Sequence, residues 1–261
     1  MISMYDETLP ERLSELLRLA REAGAILLSD RARGVGGVQT KSDGSPVTGA
    51  DLKADAYVRA GLQRIAGNIP IISEESPVPA FSVRSSWKEF WLVDALDGTK
   101  EYIAGRDEYT VNVALIRDGV PRLGVVYAPA LRLLYYAQES AGSWKISGDA
   151  VNAPVRIFSS PPSAGKALGI VESRSHPSSE LDAFLRPLNV GERIKIGSSL
   201  KFCLVAEGSA DVYPRFGPTM EWDVAAGDCI FRYSGRAASR KSPLQYNKSQ
   251  LRNDSFVIGL D

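Results

Sequence analysis

The sequence predicts an α/β protein whose N-terminal half is of the α+β kind. Apolar residues recur at helical spacing over 9–33 and 49–66, and short apolar runs separated by turn residues follow from 90 to 146. Beyond residue 166, short apolar runs alternate with helical patterns, the sign of an α/β layer. A stretch rich in Pro and Ser, 151–166, lies between them. The domain boundary is placed there, giving an α+β region 1–150 with a mostly antiparallel sheet and an α/β region 151–261.

The first helix begins around Thr8-Leu9-Pro10-Glu11, with Pro10 near its first turn, and Gly34 to Gly37 end it. Its apolar face, from Leu13 and Leu16 to Ala23 and Leu27, needs something larger to pack on. Residues 40–48 are polar and turn-rich, a loop or a hairpin. Thr48 with Asp51 forms a Thr-x-x-Asp capping box for a helix over 49–66. Strands are expected over 69–72, 90–93, 109–116, 123–127, 133–137 and 142–146, with Asp118-Gly119 as a turn and 77–86 as a loop. In the second region, strands over 168–171, 193–196, 210–215 and 256–260 alternate with helices over 178–185, 198–207 and 221–233.

Composition narrows the class. A chain of 261 residues that is 44% apolar and 24% charged can bury a sizeable core. With 31 basic and 31 acidic residues, the formal charge is zero, which argues against an extended nucleic-acid surface. No apolar run approaches the ~18–20 residues of a membrane span. The first ten residues carry Asp6 and Glu7 with no apolar core, unlike a secretory signal. Cys203 and Cys229 lie in apolar surroundings without a CxxC pattern, so a reduced, buried pair and a cytoplasmic location are expected, with contact at the inner membrane face left open. The one histidine, His176, has no G-x-S-x-G partner motif, so nothing supports a Ser-His-Asp hydrolase.

The chemistry points to Phe90-Trp91-Leu92-Val93-Asp94-Ala95-Leu96-Asp97-Gly98-Thr99. A buried strand delivers two carboxylates, Gly98 permits a tight turn, and Thr99 can cap the next element. Hard oxygen ligands beside backbone N–H groups suit both a divalent cation and a phosphate. Asp-Gly is also common in solvated turns, so the partners matter. Glu74-Glu75 follow another strand directly, Asp51 sits in a first helical turn, and Glu221-Trp222-Asp223 opens a third helix. Asp51 also suits a purely capping role.

Three segments in this order, Glu74-Glu75, Asp94-Ala95-Leu96-Asp97-Gly98-Thr99 and Trp222-Asp223-Val224-Ala225-Ala226-Gly227, resemble the lithium-sensitive, Mg²⁺-dependent phosphatase superfamily that includes inositol monophosphatase and fructose-1,6-bisphosphatase. Further segments, Gly197 to Cys203, Tyr213 to Thr219 and Ser173-Arg174-Ser175-His176, resemble its 3'(2'),5'-bisphosphate nucleotidase (CysQ-type) branch. The resemblance implies a layered αβαβα sandwich with two sheets. It implies that Glu74, Asp94 and the Leu96 carbonyl hold one Mg²⁺, and that Asp94, Asp97 and Asp223 hold a second. Glu75 would take an outer-shell catalytic place at a weaker third ion. Asp51 and Thr99 would orient the attacking water, with Leu96, Asp97, Gly98 and Thr99 cradling the phosphate beside Glu74 and Asp223. His176, Ser198, Lys201 and Arg215 would meet the rest of the substrate. One departure is Ala95, where the family usually has proline; this removes stiffness from the loop and no ligand.

The implied reaction is hydrolysis of the 3'-phosphate of adenosine 3',5'-bisphosphate, and of its sulfated precursor, by a metal-activated water. An inositol or sugar monophosphatase is the alternative within the same class, and a catalytically silent nucleotide sensor is one outside it. Taken alone, Lys201 reads equally as a solvated helix residue, Arg215 as a surface charge, Ser198 as an N-cap and His176 as a loop residue. The partner expected is a small nucleotide, with neither a nucleic-acid polymer nor a membrane span. A monomer and a homodimer are both compatible with the sequence.

Overall fold

The structure, a computed structural model, describes residues 9–41, 44–148, 154–160, 162, 165–175, 178–235 and 242–260. Helix α1 (Leu9–Ala32) leads through a hairpin, β1 (Gln39–Thr40) and β2 (Pro46–Val47), to α2 (Gly49–Ala66). There follow β3 (Ile71–Ser73), α3 (Phe81–Arg84), β4 (Glu89–Asp97), α4 (Thr99–Ile103), β5 (Thr110–Arg117), β6 (Val120–Ala128), β7 (Leu133–Gln138), β8 (Gly142–Ser147) and β9 (Val155–Arg156). Strands β3 to β9 form a seven-stranded sheet in chain order. Only the β3–β4 pair is parallel.

The remaining elements are β10 (Leu168–Ser173), α5 (Ser179–Leu185), β11 (Val190–Ile196), α6 (Leu200–Ala206), β12 (Tyr213–Arg215), β13 (Thr219–Met220), α7 (Glu221–Arg232), β14 (Arg252–Asn253) and β15 (Phe256–Ile258). β10 and β11 pair in parallel, β12 and β15 antiparallel, and a bridge between Ile170 and Val212 joins the two pairs.

The strands of the large sheet are apolar on both faces because both faces are covered. Trp91, Val93, Val111, Val113 and Leu115 pack with Leu16, Leu27, Ala54 and Leu62 of α1 and α2. Their neighbours Phe90, Leu92, Ala114 and Ile116 pack with Phe202, Val205, Ala225 and Ile230 of α6 and α7. The same cluster continues to Val171, Tyr213, Phe256 and Ile258 of the smaller sheet, whose outer side is closed by Leu181 and Leu185 of α5. The layers are therefore α, β, α, β, α, as the resemblance implies.

Most elements lie where periodicity puts them, and the differences have local causes. The expected loop over 77–86 contains α3, held by Arg84, which is buried and donates to Asn247 Oδ1 and to the Ser249 carbonyl. The expected helix start at 198 moves to Leu200, because Ser198 has a left-handed φ of 52°. The expected strand over 210–215 shortens to β12, with Val212 making only the bridge to Ile170. Asp118 and Gly119 form the expected turn, both with positive φ (51° and 72°), the geometry that suits a two-residue hairpin. Thr99 caps no helix: α4 has Gly98 as its N-cap and no side-chain cap. No helix among the described residues is long and apolar enough to cross a membrane.

Layer spacing depends on Gly124 of β6. A Cβ there would lie 2.7 Å from Cys229 Cβ and 2.9 Å from the Ala226 carbonyl oxygen of α7. Gly124→Ala is expected to cost about 1–3 kcal/mol through overpacking, read as a lower midpoint in denaturant unfolding. Unchanged stability would mean that α7 can retreat from the sheet.

Candidate active site

The Asp-x-x-Asp spacing makes sense only with the shape of β4. Side chains three apart on a regular strand point to opposite faces. Here Asp94 faces Asn112 and Asp97 faces Thr110, so three steps on β4 oppose two on β5. One extra residue is accommodated as a bulge. Its mark is that the consecutive residues Ala95 and Leu96 both enter the core against α1 and α2. The phase shift brings Asp97 to the same face as Asp94, towards α6 and α7. Gly98 then turns the chain at φ 94°, where a side chain would be strained and would press on the Glu108 carbonyl.

Other elements aim at the same place. Glu74 follows β3, and Asp223 sits in the first turn of α7, where its Oδ2 accepts from the Met220 N–H at 2.8 Å. Carboxylate oxygens of Glu74, Asp94 and Asp223 lie within 4.8 Å of one another. This group takes Glu74 from one expected ion set and Asp223 from the other, with Asp94 common to both. Burial, then the fields of Glu74, Asp97 and Asp223, push the Asp94 carboxyl well above its usual range. Burial and the charges of Asp97 and Glu74 do the same to Asp223. Burial also raises Asp97, opposed by Lys201 and by hydrogen bonds from Asn112 and Ser199. Like charges held this close suit a cation, and an all-oxygen set suits a hard one such as Mg²⁺. The thiols are elsewhere: Cys203 and Cys229 are free and buried in the core, as expected.

Asp51 caps its helix with one oxygen and meets Thr99 with the other. Its Oδ2 accepts from the Thr48 N–H at 2.8 Å and from Thr48 Oγ1, completing the capping box. Its Oδ1 lies 3.0 Å from Thr99 Oγ1. The Thr99 hydroxyl is also 3.2 Å from the Leu96 carbonyl, and its one proton serves one acceptor at a time. Burial raises the Asp51 carboxyl, opposed by the bonds from Thr48 and Thr99. Glu75 pairs with Lys41 at 2.6 Å, and the same ammonium holds Glu74 at 2.7 Å. Burial pulls Lys41 down, but the two glutamates outweigh it and its pKa rises. Sequence reading missed Lys41, because a lysine in a polar turn gives no sign of its distant partners.

The cleft, about 230 Å³, is lined by Glu74, Asp94, Asp97 and Asp223 and by Ser198, Lys201 and Arg215. Lys201 is 6% exposed and Arg215 7%, which rules out the solvated-helix and surface-charge readings. Lys201 Nζ donates to the Ser198 carbonyl and lies 5.7 Å from the Tyr213 ring centre. Burial lowers its pKa to about 8, against the pull of Asp97. Arg215 donates to the carbonyls of Gly217 at 3.2 Å and Pro218 at 3.0 Å, which fix its guanidinium. Ser198 is no N-cap: α6 has Ser199 in that position, with no side-chain cap bond. His176 lies outside the described residues. Trp222 and Phe216 pack as core aromatics.

Comparison with known proteins gives the chain its relatives. Residues 9–239 match the model of the inositol monophosphatase family. The 3'(2'),5'-bisphosphate nucleotidase CysQ of Salmonella typhimurium is 46% identical over 220 residues, covering 84% of this chain and 86% of that protein. The protein of the same name from Escherichia coli K12 is 41% identical over 253 residues, or 95% and 99% of the two chains. A crystal structure of CysQ from Bacteroides thetaiotaomicron superposes with a TM-score of 0.79 at 38% identity, over 95% of this chain and 97% of that one. With the acidic residues of β3, β4 and α7 gathered at one cleft and these matches along nearly the whole length, the chain belongs to the inositol monophosphatase family.

Proposed function

We propose that the protein hydrolyses the 3'-phosphate of a nucleoside 3',5'-bisphosphate such as adenosine 3',5'-bisphosphate, leaving the nucleoside 5'-phosphate. The observation that carries this reading is the pair of buried cations, Lys201 and Arg215, in the same cleft as the acidic cluster. A scissile phosphate beside the carboxylates needs neither of them. A second phosphate on the same molecule would give both a partner, and burying two cations without one is costly. An inositol monophosphate offers them no second phosphate. The names of the CysQ relatives point to the same substrate class.

Glu74, Asp94 and the Leu96 carbonyl would hold one Mg²⁺, and Asp94, Asp97 and Asp223 a second, with Glu75 beside a weaker third. When bound, the ions would neutralise the phosphoryl oxygens and acidify a coordinated water. The chain's own part is orientation and proton transfer. Thr99 Oγ1 accepts a hydrogen from the attacking water and gives its own proton to Asp51 Oδ1. The raised pKa of Asp51 makes it a better acceptor than an exposed aspartate. Gly98 and Thr99, at the start of α4, line the cleft, and their backbone N–H groups would meet the phosphoryl oxygens. Water supplies OH to phosphorus and leaves its other proton on Asp51, the bond to the 3'-oxygen breaks, that oxygen takes a proton from solvent water, and Asp51 returns its proton to solvent. Lys201, Arg215, Ser198 and His176 take the remainder of the nucleotide.

Phosphate release from adenosine 3',5'-bisphosphate is expected to exceed release from inositol-1-phosphate, with Mg²⁺ present and lithium inhibiting. Lys201→Met should raise KM for the bisphosphate while leaving the slower inositol-phosphate reaction little changed. Faster turnover of inositol-1-phosphate by the wild-type protein would overturn the substrate assignment.

Asp94→Asn should lower kcat by at least about 10²–10³, the scale for losing one preorganised hydrogen-bond donor. It removes a repelled, buried charge, so the metal-free variant should melt no lower than wild type at pH 8. Near-normal turnover would contradict the role given to Asp94.

The raised carboxyls also set a sign for pH. Asp94, Asp97, Glu74 and Asp223 hold protons more tightly folded than unfolded. Stability of the metal-free protein therefore falls as pH rises from the ordinary carboxylate range through these higher values. Its Tm should drop between pH 5 and pH 8, by about 2–4 °C for each kcal/mol lost. Mg²⁺ should restore more at pH 8, where its ligands are deprotonated. A metal-free Tm that climbs over this range would refute the shared-repulsion picture.

A further inference from the structure

We propose that Asn112 of β5 is a positioning residue for the metal centre, fixing the distance between the β4 bulge and the α6–α7 layer; this rests on the metal reading given above. Asn112 is 1% exposed and lies opposite Asp94 in the β4–β5 ladder, at the last pair before the bulge. Its Nδ2 is 3.2 Å from Asp97 Oδ2 and 3.0 Å from Ser199 Oγ. Ser199 Oγ in turn donates to the Asp223 carbonyl. One amide thus touches the carriers of three acidic residues: Asp94 by backbone register, Asp97 by side chain, and Asp223 through one hydroxyl.

The direction of this chain is forced. A carboxylate and a backbone carbonyl only accept. Ser199 gives its single proton to an acceptor, the Asp223 carbonyl or the Asp97 carboxylate, so its oxygen must accept from Asn112. Both protons of the Asn112 amide are therefore committed, one to the bulge and one to the helix layer. The geometry also carries a cost: Asn112 Oδ1 is buried with no hydrogen-bond partner among the described residues. An apolar residue such as its strand neighbours Val111 and Val113 would avoid that cost. The amide is retained where a neutral donor is required. A lysine here would occupy the place of a cation, and an aspartate would add to the repulsion among Asp94, Asp97 and Asp223. A donor without charge restrains Asp97 and leaves the charge of the cluster for the ion.

Hydrogen bonds that orient metal ligands typically change metal affinity by about 10–100-fold when removed. The test uses the full chain and Mg²⁺ alone as probe, by isothermal titration calorimetry, beside Mg²⁺-saturated kinetics. Asn112→Leu keeps the volume and removes both donors. It should weaken Mg²⁺ binding by about 10–100-fold, lower kcat, and leave KM for the bisphosphate at saturating Mg²⁺ unchanged. Ser199→Ala cuts the same chain at its second link and should show the same pattern. The double variant should lose less than the product of the single losses, because both break one connection. Unchanged Mg²⁺ affinity in both single variants would overturn the inference while leaving the metal reading intact. A fall of Tm and metal affinity together with a rise of KM would assign Asn112 to structure only and overturn it too. A wild-type protein that takes up no Mg²⁺ would remove the metal reading and this inference together.

Discussion

Glu74, Asp94, Asp97 and Asp223 repel one another along one cleft, Asp94 buried and the other three half-buried, and the surrounding structure serves to hold them there. Bringing buried carboxylates together costs free energy whenever no cation sits between them. The fold opposes that cost with neutral donors and displaced cations. Lys41 grips Glu74 and Glu75 from one side, while Lys201 lies behind Asp97 on the other. Asn112, Ser199 and the Met220 N–H supply hydrogen bonds without adding charge.

This arrangement explains why the cleft lies where the layers meet. Each acidic residue is at the end of an element whose body is anchored in an apolar cluster: β3 and β4 in the large sheet, α7 between the two sheets. The ends can then be held against their repulsion because the bodies cannot move apart without exposing core. α2 contributes Asp51 in the same manner. One of its oxygens completes the helix cap and the other is left for Thr99, so one carboxylate ties α2 to the turn after β4. The two buried cations, Lys201 and Arg215, come from the second half of the chain and face acids from the first.

Much of this was legible in the sequence. The helix over 49–66 and its capping box follow from Thr48, Asp51 and the apolar spacing, and both occur as expected. The strands β4 to β8 were visible as apolar runs, and Asp118-Gly119 marked its turn. Glu74, Asp94 and Asp97 stood out because they end apolar runs, and Asp51 and Asp223 because they sit in the first turns of helices. Pairs between distant residues were hidden: Lys41 with Glu74, Asn112 with Asp97, and Ser199 with Asp223 have no spacing rule. The burial of Lys201 and Arg215 was equally invisible, since a charged residue at an element's end is solvated far more often than enclosed.

By itself, the sequence determined which residues are apolar and with what period, where helices start, and which short segments carry acids at their ends; these are local matters of backbone preference and side-chain chemistry. Tertiary structure alone decided that Asp94 and Asp97 share a face. That depends on one extra residue accommodated against Asn112 and Thr110 of the neighbouring strand, and a bulge belongs to a pair of strands, so neither strand encodes it separately.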